Sequence, residues 1–92
     1  MAKIFVVSDE YKADVKCFKV DDDYKADILV YVVNDDYKAT SDEKWYYVND
    51  DYKATTKIYW VSDDYKADLK VFFVNDDYKA KWNTGHSLQN RL

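Results

Sequence analysis

One tripeptide, Tyr-Lys-Ala, returns six times along the chain, beginning at Tyr11, Tyr24, Tyr37, Tyr52, Tyr65 and Tyr78, in steps of 13, 13, 15, 13 and 13 residues. Near-identical sequence takes near-identical local structure, and a unit this short buries its apolar face only against its neighbours. The chain is therefore confined to a tandem architecture built from six copies of one small element.

On a 13-position register the copies open with Ser8-Asp9-Glu10, Asp21-Asp22-Asp23, Asn34-Asp35-Asp36, Asn49-Asp50-Asp51, Ser62-Asp63-Asp64 and Asn75-Asp76-Asp77. Asn, Asp and Ser hydrogen-bond their side-chain oxygens to nearby backbone amides, so these triplets read as turns or helix N-caps. Position 11 is always aromatic (Phe5, Phe18, Tyr31, Tyr46, Tyr59, Phe72), and position 13 is always valine, from Val7 to Val74. Each copy thus expects the same packing environment.

Positions 9 to 13, such as Lys57-Ile-Tyr-Trp-Val and Lys70-Val-Phe-Phe-Val, are rich in residues that suit a pleated, buried surface. The Asp-Asp-Tyr-Lys-Ala segment fits the start of the same strand, a short strand of its own or one helical turn; a strand from position 4 to 13 followed by a three-residue turn accounts for the whole period. Parallel neighbours in an ordinary sheet need a crossover of about a dozen residues, more than the roughly eight between successive strands, which favours antiparallel pairing. A β-solenoid is the alternative, although it would stack acidic triplets about 4.8 Å apart. The expected fold is all-β: an antiparallel meander of six 13-residue repeats, closed into a small barrel or ring. Closure follows from the phase of the repeat, because Lys3–Val7 is an unmatched back half and Asn75–Ala80 an unmatched front half that together complete one unit and can pair. The two extra residues around Thr40–Glu43 predict a bulge or widened turn.

Ninety-two residues make a single repeat domain, 1–92, with repeat units over about 3–80 and a C-terminal cap over 81–92. The cap departs from the repeat after Ala80, with Trp82 expected as a plug and Gly85 as a turn. With 48% hydrophobic and 35% charged residues the composition is globular. A net charge of −4 disfavours a phosphate backbone as ligand, so no nucleic-acid partner is expected. The opening Met-Ala-Lys-Ile-Phe-Val-Val has too short an apolar run for a signal or a span, so no membrane partner is expected and the reading is a soluble, cytoplasmic protein. The single Cys17 forms no internal disulfide and reads as a small buried hydrophobe.

Six acidic triplets raise calcium as a ligand, but calcium loops use a glycine for their sharp turn, and the only glycine, Gly85, lies outside every triplet. Turn chemistry and solubility are the simpler account, with the repeated lysines pairing to Asp at position 7 or to the triplets. His86 has no second histidine or neighbouring cysteine, and Ser87 beside it makes no triad, so no catalytic, cofactor or metal residue is assigned. The ten tyrosines read as core residues whose hydroxyls reach the rim. Alternation along the strand leaves both faces partly apolar, which requires a bend or a second cover over one of them. Trp45, Tyr47, Trp60 and Phe73, at positions 10 and 12, are too bulky to leave wet as a group and form the candidate interface, to be covered by another copy or by the chain's own curl.

The Asp-Asp-Tyr-Lys-Ala-Asp repeat and the tryptophan-containing tail resemble small bacterial proteins built from the same tandem motif, over nearly the whole chain. The resemblance implies a repeat architecture and carries no activity, substrate or site. Function is therefore read from the residues: a non-catalytic protein-binding or structural module, with a protein partner or a homo-oligomer as its expected associations, or alternatively an acidic-loop calcium or small-ligand binder.

Overall fold

The computed structural model describes residues 2–92. Seven strands follow one another: β1 Ala2–Val6, β2 Val15–Lys19, β3 Ile28–Val32, β4 Lys44–Tyr47, β5 Thr56–Trp60, β6 Leu69–Phe73 and β7 Lys81–Trp82. Between them stand six 3-10 turns, Glu10–Lys12, Asp23–Lys25, Asp36–Lys38, Asp51–Lys53, Asp64–Lys66 and Asp77–Lys79. The Tyr-Lys pair of every repeat thus forms a turn, and the ten-residue strand expected from position 4 is in fact five residues from position 8 in β1, β2, β3, β5 and β6, four from position 9 in β4 and two in β7. In the first copy the preceding Asp9 is extended and its side chain makes no capping bond, while Ala13 returns the chain to φ −85° and ψ 142°.

Neighbours round the sheet run β4, β1, β5, β2, β6, β3, and an additional β3–β4 pairing closes the six strands into a barrel. The all-β closed barrel matches expectation, but the strand direction does not: every one of these pairs is parallel. The antiparallel meander fails because the long crossover is required only of strands that stand level. Here each strand uses its first residues for one neighbour and its last for the other. β1 meets β4 through Ala2–Ile4 and β5 through Ile4–Val6. β5 meets β1 through Thr56–Ile58 and β2 through Ile58–Trp60. Strand-to-strand slippage of this size tilts the barrel steeply. As a result Val6, where β1 ends, and Val15, where β2 begins, both face Ile58 and lie at one level. No return trip is needed, and a short linker only has to step sideways over β5.

That linker is tied to the strand it crosses. The Val7 amide donates to the Ile58 carbonyl at 2.9 Å and the Asp14 amide to the Lys57 carbonyl at 2.7 Å. The Asp14 carboxylate then accepts from the Lys57 amide at 3.0 Å. Asp27 does the same for Lys70 and Asp68 for Lys16, while Thr55 accepts from Lys3. The recurrent acidic or hydroxyl residue at position 7 thus supplies the acceptor for a strand amide beside the linker.

β1, β2 and β3 take alternate places on a first circuit, and β5 and β6 fill the gaps on a second. β7 runs antiparallel to β3, against Ile28 and Leu29, outside the six closed strands. The first and last strands do not pair with each other, contrary to the expectation drawn from the repeat's phase; β1 lies between β4 and β5 instead. With β7 counted as a seventh place between β3 and β4, all six connections advance two places.

The barrel interior holds Ala2, Ile4, Val15, Cys17, Ile28, Val30, Trp45, Ile58, Leu69 and Val71. A second layer lies outside the strands, where Phe18, Leu29 and Phe72 pack with Val20, Ala26 and Val74 of the linkers. Both faces of the sheet are apolar because both are covered, one by the barrel's own curl and the other by the linkers.

Candidate interaction surface

Each 3-10 turn carries its tyrosine outward. Tyr11, Tyr24, Tyr37, Tyr52, Tyr65 and Tyr78 are 70–80% exposed, so these six are surface residues and not the core tyrosines expected from alternation. The following lysine folds back over the ring, with Nζ 5.8–5.9 Å from the centroid in all six copies. The same lysine pairs with the middle residue of the triplet three positions earlier, from Lys12–Asp9 to Lys79–Asp76, at 3.4–3.7 Å. Exposed pairs of this kind contribute little stability but hold the side chains in one arrangement. The result is a girdle of identical knobs, each presenting one free aromatic face beside a nearly neutralised charge pair. Among the described residues no three His, Cys, Asp or Glu side chains come together as a metal-ligand set.

The four aromatic residues singled out by the sequence do converge, but at one end of the barrel. Trp45 lies within 6.4 Å of Trp60 and 5.9 Å of Phe73, ring centre to ring centre, and meets Tyr47 edge-on at 6.3 Å. Trp45 is fully buried inside the barrel, so it cannot belong to an exposed interface. It forms the floor, while Tyr47, Trp60 and Phe73, half-buried or partly exposed, are the last residues of β4, β5 and β6. Val6, Lys19 and Val32 end β1, β2 and β3 in the same way. Because the two circuits interleave, the rim reads Val6, Trp60, Lys19, Phe73, Val32, Tyr47, with every aromatic between smaller or flexible neighbours. Burial, first, and then Cys17 push the Tyr47 phenol from 10.0 up to about 12. Burial, with Asp68 second, pushes the Cys17 thiol from its ordinary 9.0 up to about 12, consistent with an inert core residue.

The opposite end of the barrel is closed by the tail. Leu92, Leu88 and Trp82 join the core cluster that contains Ala2, Val15, Ile28 and Leu69. Asp42, buried in the two-residue insertion, holds them: its carboxylate accepts from Trp82 Nε1 at 3.3 Å, from the Leu92 amide at 3.1 Å and from the Asn90 amide. Its carbonyl accepts from Trp45 Nε1 at 2.8 Å. The insertion forms the expected turn, closed by the Lys44 amide on the Ser41 carbonyl. His86 stacks on Trp82 and reaches the Asp68 carbonyl through Nε2, while its Nδ1 accepts from the Leu88 amide. Its role is to fasten the tail. Sequence reasoning overlooked Asp42, although its position in the one break of the 13-residue period marked it as special.

A path that advances two places at a time round seven positions traces, once its ends are joined, the torus knot of seven crossings. The family model described as the 7(1) septoil knot domain matches residues 1–83, through β7. No curated protein and no solved structure matches the chain. Winding and match agree, and the chain belongs to the septoil knot domain family.

Proposed function

We propose that the protein is a non-catalytic binding module, acting in the cytoplasm, whose girdle of Tyr-Lys turns engages a protein partner. The observation that carries this reading is the near-identical exposure and geometry of six tyrosines on a closed barrel. Tyrosine is favoured at protein interfaces because it brings a large, stiff, amphipathic surface with little rotamer entropy to lose. Each turn sets one lysine against two or three acidic residues, so the girdle is net acidic and repels phosphate backbones and acidic lipid. Repetition of like knobs suits a partner that is itself repetitive or that contacts several turns at once, where avidity multiplies weak individual contacts.

The test is affinity capture from the source cell with the intact protein and with a Tyr11→Ser, Tyr24→Ser, Tyr37→Ser variant. The expected result is a partner captured by the first and lost by the second, with both melting at nearly the same temperature. A partner retained equally by both proteins, or none captured by either, would overturn the reading.

A further inference from the structure

The barrel rim at the strand C-termini is a separate feature from the girdle. Phe18, Lys19, Tyr47, Trp60, Val61 and Phe73 line an open hollow of about 470 Å³ there. Its walls are rigid, since Trp60 and Phe73 rest against each other at 5.9 Å and both rest on the buried Trp45. One charge stands in it. Lys19 holds Nζ 5.8 Å from the Phe73 ring centre and makes no ion pair among the described residues. The six turn lysines, by contrast, are all paired with aspartate. Position 12 elsewhere is Val, Tyr, Trp or Phe, so this cation is placed on the rim against the trend of the repeat.

We propose that this hollow binds a small aromatic carboxylate, its ring against Trp60 and Phe73 and its anion on the Lys19 ammonium. Charge complementarity selects an anion, because the lining has a cation and no carboxylate. Flat aromatic walls select a planar apolar body, since offset and edge-on ring contacts add to burial. Size selects a small molecule: the volume falls within the range of about 300–1,000 Å³ of ligand pockets, whereas a stable protein interface needs roughly 20–30 residues a side. The hollow lies at the C-terminal ends of the strands, the end at which eight-stranded (β/α)8 barrels also carry their ligands. Tyr47 lines the hollow as a phenol that keeps its proton at neutral pH and so remains a donor.

The experiment is a titration of isotope-labelled protein, at low ionic strength, with benzoate and 2-naphthoate and with the neutral benzamide and 2-naphthamide, followed by backbone and indole NMR shifts. The expected result is saturable shifts at Lys19, Tyr47, Trp60 and Phe73 with the carboxylates. The amides should bind at least about tenfold more weakly, as the loss of a charge-assisted contact implies. Lys19→Met should remove that preference while the rest of the spectrum stays in place, which separates a lost anion contact from a lost fold. Equal binding of acid and amide, no saturable shift at millimolar carboxylate, or an unchanged preference in Lys19→Met would each overturn the proposal. So would rim shifts that depend on protein concentration without ligand, because a second copy would then be the occupant.

Discussion

Replacing Asp42 with alanine leaves the Trp82 indole and the Asn90 and Leu92 amides, all at the closed end of the barrel, without their acceptor. Stranded buried donors each cost roughly 1–3 kcal/mol, and Asp42→Ala is expected to lose about 3 kcal/mol in urea titrations, with Asp42→Asn losing less because an oxygen remains. At Cys17 the effect is one of pH. The unfolded thiol titrates near 9.0 and the folded one near 12. Between those values the unfolded chain has released a proton that the folded chain keeps, so stability is level below about pH 9 and falls as pH rises toward 12. Melting curves across that window should fall less steeply for Cys17→Ala than for the wild type, and native Cys17 should resist alkylation at neutral pH. The cysteine's burial was legible in the sequence, because it replaces Ile, Val or Trp at a repeated apolar position. Lys19 was not, since a charge at a strand end reads as ordinary surface until closure shows which residues share a rim. The exposure of the turn tyrosines was hidden for a related reason: a period-two pattern extended through Tyr-Lys-Ala assigns them to a buried face, whereas the 3-10 turn breaks that alternation.

Among the elements, positions 9 to 13 were readable as strand because β-branched and aromatic residues recur there in every copy; closure was expected, but through the half-units at the two ends, whereas β3 and β4 make it. Strand direction was not readable. The usual crossover requirement holds for strands at one height, and the two-residue slip between neighbours, which removes it, leaves no mark on hydrophobic pattern. The role of position 7 appears only with that geometry, when Asp14, Asp27 and Asp68 meet the amides of strands 43 or 52 residues away. β1 shows how much one strand carries in such an arrangement. It pairs on both sides, with β4 and β5, and contributes the fully buried Ala2 and Ile4. Deleting residues 1–7 would open two ladders at once and expose the Trp45 side of the core. The expected outcome is a chain without cooperative melting or dispersed NMR signals; a shortened protein that melts within a few degrees of the intact one would contradict the closed arrangement.

At the scale of the whole molecule, knots are rare because a folding chain seldom has reason to thread itself. Here five similar linkers each pass over one strand, so threading is built up by repetition of a single small step, with the final crossing made when β7 takes its place beside β3. Long-range pairings of this kind fold slowly. A chain refolded soon after dilution from urea is expected to recover faster than one newly synthesised, because the loosened coil retains its crossings, and fusing a bulky folded domain after Leu92 should slow the first folding while leaving the final melting temperature nearly unchanged. Stopped-flow refolding beside time-resolved cell-free synthesis measures both. The linkers that lie across the strands also act mechanically. Beyond the short β7, tension on the two ends finds no edge from which to peel a strand, since the six closed strands have none; it draws each loop tighter round the segment it encloses. A motor that feeds on proteins from one end would meet a hitch that tightens under load, and such a chain should stall unfoldases out of proportion to its ordinary thermodynamic stability.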